Sequence, residues 1–332
     1  MVEITLTKKD FTSDQEVRWC PGCGDYSILA TVQAFLPELG VPRENVVFIS
    51  GIGCSSRFPY YVETFGMHSI HGRAPAVASG LAITRPDLVT FVITGDGDAL
   101  SIGGNHFIHA LRRNVNLKIL LFNNQIYGLT KGQYSPTSEQ GKITKSTPVG
   151  SLDTPFNPIS LALGAEASFV ARSIDSDRKH LTETLRAAAA HQGSALIEIY
   201  QNCPIFNDGA FDTFKEGDTK ESALLQMVHN QPIKSSTHGV VRATDGSLSL
   251  VPLSEIKEED ILIHDAHRQD PTYAFALSRL SNSSHVPVGI FRDVSRPHYG
   301  ALVQDQLKEV IDKNGKGDLG KLLVGGDSWQ VV

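Results

Sequence analysis

Cysteine is scarce in this chain. Its 332 residues include only four, Cys20, Cys23, Cys54 and Cys203, far too few for a disulfide framework in a chain this long. A metal site, redox chemistry or burial in a reducing compartment are the expected uses. No apolar stretch is long enough to span a bilayer, and the start, MVEITLTKKDFTSDQEV, has no hydrophobic region of the kind a secretory leader needs. Positive charge is not in excess: the net charge is −6, and no Lys/Arg run interrupts it. That excludes a general attraction for nucleic acid or anionic lipid. Repeats and low-complexity tracts are also lacking. The expectation is a cytoplasmic protein with neither a membrane nor a nucleic acid as partner. What is present, 41% hydrophobic and 20% charged residues, suffices for one large domain or a domain with a smaller appendage.

Apolar, β-branched-rich runs over 46–50, 88–94, 117–122, 169–171 and 195–200 read as strands. Helical spacing lies between them. Asp25 is expected to cap a helix through Ile28, Leu29, Val32 and Phe35 that stops near Pro37 and Gly40, and further helices carry Phe107, Ala110 and Leu111, then Leu181, Leu185 and Ala188. This alternation predicts an α/β fold, a doubly wound, mostly parallel sheet with helices on both faces. Ligands in such sheets bind at loops leaving the carboxyl ends of strands, here 51–57, 95–104 and 123–133. The expected division is a domain over 1–216 and a C-terminal extension over 217–332. The extension should contain a hairpin turning at Asp245-Gly246, helices near 271–280 and 301–312, and a mostly polar tail.

Two of those loops carry oxygen donors. Holding a diphosphate takes a hard divalent cation with oxygen ligands and backbone N–H groups brought close by glycine. Asp96 in Gly95-Asp96-Gly97-Asp98 offers a carboxylate, Asn124 an amide oxygen and Ile126 a backbone carbonyl. Gly-Asp-Gly alone is a common turn composition. Followed by Asn123-Asn124 after the next strand, with residues 98 to 122 between, it resembles the motif of thiamine-diphosphate enzymes and implies a magnesium ion at Asp96, Asn124 and Ile126.

Cys20-Pro21-Gly22-Cys23 follows a polar arm in a large chain, a poor context for a thioredoxin-type dithiol. Four thiolates at element boundaries fit either tetrahedral zinc or a [4Fe–4S] cluster. A single CxxC knuckle, where zinc ribbons have two, tilts the reading toward the cluster.

Trp19-Cys20-Pro21-Gly22-Cys23-Gly24-Asp25, Gly51-Ile52-Gly53-Cys54-Ser55-Ser56, His71-Gly72-Arg73-Ala74, Gly95-Asp96-Gly97-Asp98 and Tyr127-Gly128-Leu129-Thr130-Lys131-Gly132-Gln133 together resemble β subunits of 2-oxoacid:ferredoxin oxidoreductases. The resemblance covers residues 15 to about 215. It implies a [4Fe–4S] cluster on Cys20, Cys23, Cys54 and Cys203 beside a thiamine-diphosphate fold. It also implies cofactor contacts at Gly53, Cys54, Ser55, His71, Gly95, Asp96, Gly97, Asp98, Asn124, Ile126, Gly128, Leu129 and Thr130. The activity implied is oxidative decarboxylation of a 2-oxoacid with coenzyme A, giving acyl-CoA, carbon dioxide and reduced ferredoxin. An α subunit supplying the activating glutamate is implied as well, in a heterodimer or a dimer of heterodimers.

His71 and Arg73 are expected to offer protons or positive charge at the reacting carbonyl. Leu129-Thr130-Lys131 resembles enzymes accepting 2-oxoglutarate or a broader range of 2-oxoacids, where the Lys131 ammonium would meet a distal carboxylate that pyruvate lacks. A non-redox thiamine decarboxylase would share Asp96 and Asn124 but leave the cysteines without a task. A non-catalytic electron-transfer subunit would bind no thiamine.

Overall fold

A computed structural model describes residues 6–326 except 216 and 283, together with Trp329 and Val331. The polar start over 1–5, most of the tail after 326 and the expected boundary residue 216 lie outside the described residues. Strands are β1 (Val46–Ser50), β2 (Phe65–His68), β3 (Val89–Gly95), β4 (Lys118–Asn123), β5 (Phe169–Ile174), β6 (Ala195–Tyr200), β7 (Leu224–Met227), β8 (His238–Arg242), β9 (Leu248–Pro252) and β10 (Val286–Asp293). Helices are α1 (Asp25–Phe35), α2 (Ala74–Thr84), α3 (Asp96–Leu100), α4 (Gly104–Arg112), α5 (Pro158–Gly164), α6 (Arg178–Ala190), α7 (Gly217–Ala223), α8 (Thr272–Ser278), α9 (Tyr299–Asn314) and α10 (Leu319–Val324).

Eight strands form one sheet in the order β2-β1-β3-β4-β6-β5-β10-β7. The first six are parallel to one another, and β10 runs antiparallel to β5. Because successive strand residues point to opposite faces, each central strand feeds two cores. On β4, Leu120 and Phe122 join Phe48, Phe91 and Ile197 beneath α1 and α6, while Ile119 and Leu121 join Val92 and Leu196 beneath α2, α4, α5 and α8. Each fully buried Phe or Leu contributes about 1.5–3 kcal/mol of transfer free energy. The central strands are thus largely apolar because both faces are covered, and the carboxyl ends of the six parallel strands emerge along one edge.

The structure differs from the sequence reading in several places. Asp25 is the first helical residue of α1 and Gly24 is its N-cap, so the Asp25 side chain caps nothing. Gly24 is needed there because a Cβ would stand 1.9 Å from Asp175 Oδ2. The strand expected over 169–171 continues to Ile174, its polar Arg172 and Ser173 fully buried. Strands β2, β7 and β10 escape periodicity reading: β2 is exposed along its length, and β7 has four residues. The expected hairpin does form, pairing Val240 with Leu250 across Asp245-Gly246. The segment after 217 lends β7 and β10 to the main sheet. Beyond α9 the chain forms α10, with Leu322 and Leu323 exposed, where a polar tail is expected. No described helix is long and apolar enough to cross a membrane.

Candidate active site

The loops leaving β1, β3 and β4 surround a cavity of about 550 Å³. The segment after β1 supplies Gly53, Cys54 and Ser55; the end of β3 and the start of α3 supply Gly95, Asp96, Gly97 and Asp98; the loop after β4 supplies Asn124, Ile126, Tyr127, Gly128, Leu129 and Thr130; and His71 closes one side. Glycine is required where loops touch. A Cβ on Gly97 would stand 2.2 Å from the Tyr127 ring, whose hydroxyl donates to Gly97 O at 3.1 Å.

The two carboxylates in this cavity have different tasks. Asp98 ties the loops together: its Oδ1 accepts from Ile52 N at 3.0 Å and Gly72 N at 2.7 Å, and its Oδ2 accepts from Thr94 Oγ1 at 2.7 Å. His71 Nδ1 lies 2.6 Å from Asp98 Oδ1, which fixes the ring by one nitrogen and leaves Nε2 as the other. Asp96 is buried, and the hydroxyls of Ser135 and Thr137 both lie 2.5 Å from its Oδ2. Burial pushes its carboxyl up to about 6, although those hydroxyls oppose the shift. A divalent cation relieves that cost, since it takes the ionised form as ligand. Asn124 Oδ1 accepts from Ile126 N at 3.2 Å on the same cavity wall. The oxygen donors and the glycine-lined cradle fit a magnesium diphosphate.

Behind Asp96 runs a buried polar chain. Thr137 Oγ1 is 2.9 Å from Asn123 Oδ1, Asn123 Nδ2 donates to Glu198 Oε1 at 2.7 Å, and Arg172 Nε donates to Glu198 Oε2 at 2.7 Å. Arg172 Nη1 continues to the carbonyl of Pro287 on β10.

A second cavity, about 200 Å³, is lined by all four cysteines. Cys20 and Cys23 flank a turn closed by Cys23 N to Cys20 O at 3.1 Å, with Gly22 at φ 81°, as a type II turn with Pro in second place requires. Trp19 Nε1 donates to Cys54 O at 2.7 Å, docking this arm on the β1 loop. Cys203 follows β6. Burial, followed by the neighbouring Asp25, pushes the Cys54 thiol up to about 11 and Cys23 further; burial also raises Cys203. A reactive dithiol needs the opposite shift.

Among the described residues, no three Cys, His, Asp or Glu side chains converge on a point that one ion would occupy. Zinc, with Zn–S of ~2.3 Å, demands such convergence. A cavity lined by all four cysteines, with Arg18, Arg57 and Lys131 also in its lining, suits a larger, anionic thiolate-bound group. Asp25, two residues beyond Cys23, has both carboxylate oxygens buried, and burial pushes it up to about 7 although the Cys23 thiol opposes the shift.

The two cavities share a wall made of Cys54, Asn124, Gly128 and Leu129. A Cβ on Gly128 would stand 3.5 Å from Cys54 Sγ and 3.7 Å from Cys203 Sγ, so this backbone runs against both sulfurs. Two expected residues lie elsewhere. Arg73 lines neither cavity and donates through Nη1 to Ile102 O at 3.2 Å. Lys131 lines the cysteine cavity instead of the one at Asp96. Sequence reasoning misses Ser135, Thr137, Tyr127 and Gln201. Ser135 and Thr137 lie in a long polar loop with nothing in its composition to aim it at Asp96.

Residues 51–199 match the family described as thiamine pyrophosphate enzyme, C-terminal TPP binding domain. The chain is 62% identical over 331 residues to the 2-oxoglutarate oxidoreductase subunit KorB of Mycobacterium tuberculosis, covering 97% of this chain and 88% of that one. It is 46% identical over 192 residues to a 2-oxoacid:ferredoxin oxidoreductase subunit beta of Saccharolobus solfataricus, covering 57% of this chain and 63% of that one. Among solved structures, it superposes with a TM-score of 0.75 on the 2-oxoglutarate:ferredoxin oxidoreductase from Magnetococcus marinus with 2-oxoglutarate, coenzyme A and succinyl-CoA bound. The identity is 34%, and the match covers 96% of this chain and 94% of that one.

Proposed function

Because the chain belongs to the β-subunit family of 2-oxoacid:ferredoxin oxidoreductases, we propose that it grips magnesium thiamine diphosphate and a [4Fe–4S] cluster side by side for oxidation of 2-oxoglutarate to succinyl-CoA. The observation that carries this reading is the shared wall of the two cavities, made of Cys54, Asn124, Gly128 and Leu129. Bound thiamine diphosphate supplies a carbon nucleophile and an electron sink for the charge left when carbon dioxide departs, and the cluster supplies a one-electron acceptor.

The residues of this chain then divide the work. Asp96, Asn124 and the Ile126 carbonyl hold the metal, and the Gly53, Ser55, Gly95 and Gly97 loops give backbone approach to the diphosphate. Asp98 holds these loops and orients His71, whose Nε2 is the nitrogen for a proton or a substrate oxygen. Cys20, Cys23, Cys54 and Cys203 ligate the cluster, with Arg18 and Arg57 offsetting its negative charge. Arg73 supports the lip of the cavity, and Lys131 favours a substrate with a second carboxylate.

The acids lining the cavity, Asp96 and Asp98, are committed to metal and loops, so the activating glutamate belongs to an α subunit. Exposed Ile52, Ile70, Ile102 and Leu129 around the cavity loops support a partner chain seated there. The assembly is a heterodimer or a dimer of heterodimers in the cytoplasm, reducing ferredoxin. Co-expression with the α chain and anaerobic purification tests the reading. About four irons per β chain, bound thiamine diphosphate and succinyl-CoA formation are expected. Zinc in place of iron, or no bound thiamine, would overturn it.

A further inference from the structure

Gln201 follows the last residue of β6 and is 1% exposed. Its side-chain amide makes three contacts. Nε2 donates to the carbonyl of Asn202 and to Cys23 Sγ, the latter at 3.3 Å, while Oε1 accepts from Asn124 Nδ2 at 2.9 Å. The orientation of this amide is forced: turned over, it would set its oxygen against the Asn202 carbonyl and leave two acceptors facing each other. Oε1 therefore points at Asn124, which in turn must present its own NH₂. Asn124 Oδ1 is left on the side of Ile126 N, at 3.2 Å, on the cavity wall that also carries Asp96.

We propose that Gln201 is the positioning residue that couples the two cofactor sites, orienting the metal ligand Asn124 with its oxygen while donating an N–H to the sulfur of Cys23 with its nitrogen. The inference rests on the magnesium and cluster reading above. Groups behind metal ligands fix ligand orientation, and N–H donors to cluster sulfurs tune the reduction potential. A donor on Cys23 stabilises the extra negative charge of the reduced cluster, so its removal lowers the potential. Loss of the acceptor frees Asn124 to rotate its oxygen away from the metal. Cys203 lies two residues further along and Asn202 N is held by Asp175 Oδ2 at 2.8 Å. This anchored backbone keeps the amide in place between the two sites.

The test compares the anaerobically co-expressed αβ complex carrying wild-type Gln201, Gln201→Met or Gln201→Glu. Iron content, the cluster midpoint potential from an EPR-monitored redox titration, and the magnesium concentration that half-saturates thiamine-diphosphate binding without substrate are measured. Gln201→Met is expected to shift the potential to more negative values and to weaken magnesium by roughly 10- to 100-fold. Gln201→Glu keeps an acceptor for Asn124 and loses the donor, so the same negative shift is expected with a smaller loss of magnesium affinity. Variants with full iron and unchanged potential and magnesium dependence would overturn the inference. The same holds if they merely melt earlier. Wild-type complex without iron would instead overturn the cluster reading itself, before any variant is compared.

Discussion

Asp96 and Asp98 stand two positions apart in one tetrapeptide and have unlike surroundings. Asp96→Ala removes the carboxylate proposed for the metal and the acceptor of the Ser135 and Thr137 hydroxyls but none of the ties that Asp98 makes, so the chain is expected to fold while magnesium and thiamine-diphosphate binding fall below detection in a calorimetric titration. Lys131→Ala is expected to lower kcat/KM for 2-oxoglutarate against pyruvate at least several-fold, and unchanged selectivity would dismiss its role with the distal carboxylate. Lys118 gives a pH prediction. Its ammonium donates to His191 O at 2.5 Å inside the sheet, and burial lowers it from 10.5 to about 8. Between those values the unfolded chain holds a proton that the folded chain has lost, so stability rises with pH across the window. Urea unfolding at pH 7 and pH 10 should show wild type gaining relative to Lys118→Met. The residue types at the site are legible in the sequence. Their partners are not, because Ser135 and Thr137 reach Asp96 from about 40 residues away and no local pattern encodes that distance.

At the scale of elements, β4, β5, β6 and β10 are joined by the Arg172–Glu198 pair, both side chains 1% exposed. Replacing one partner leaves a buried charge without compensation, a loss of about 3–5 kcal/mol, whereas replacing both with apolar residues of similar volume restores much of it. Arg172→Leu is therefore expected to lower the denaturation midpoint strongly, and Arg172→Leu with Glu198→Leu to recover stability. Since Glu198 also holds Asn123, the double variant should still bind magnesium more weakly than wild type. The central strands are readable because burial on both faces makes them continuous apolar runs. Strand β2 is not, for it is an exposed edge, and neither is the polar half of β5, whose Arg172 and Ser173 are buried by pairing that only the fold provides.

The whole molecule depends on its C-terminal third. Residues after 217 contribute β7 and β10 to the main sheet and α8 to one of its cores. A chain ending at Lys215 would leave β5 as a long unpaired edge. It is expected to be insoluble or aggregated in size-exclusion chromatography, whereas removal of α10, exposed along its length, should leave a soluble chain. Solubility of the shorter chain would mean that the extension is dispensable for folding.

The sequence by itself determined the α/β class, the succession of the central strands and helices along the chain, and which segments carry cysteine, carboxylate and amide. These follow from local periodicity and from the chemistry of residue types. Only the tertiary structure decided that the cysteines from three distant segments line one cavity, that this cavity shares a wall with the one at Asp96, and that Asp98 ties backbone segments together while Asp96 is held by Ser135 and Thr137. It also set the Gln201 amide between Asn124 and Cys23. The reason is that convergence of loops at the sheet edge is fixed by strand order and register, which are long-range properties that spacing along the chain does not carry.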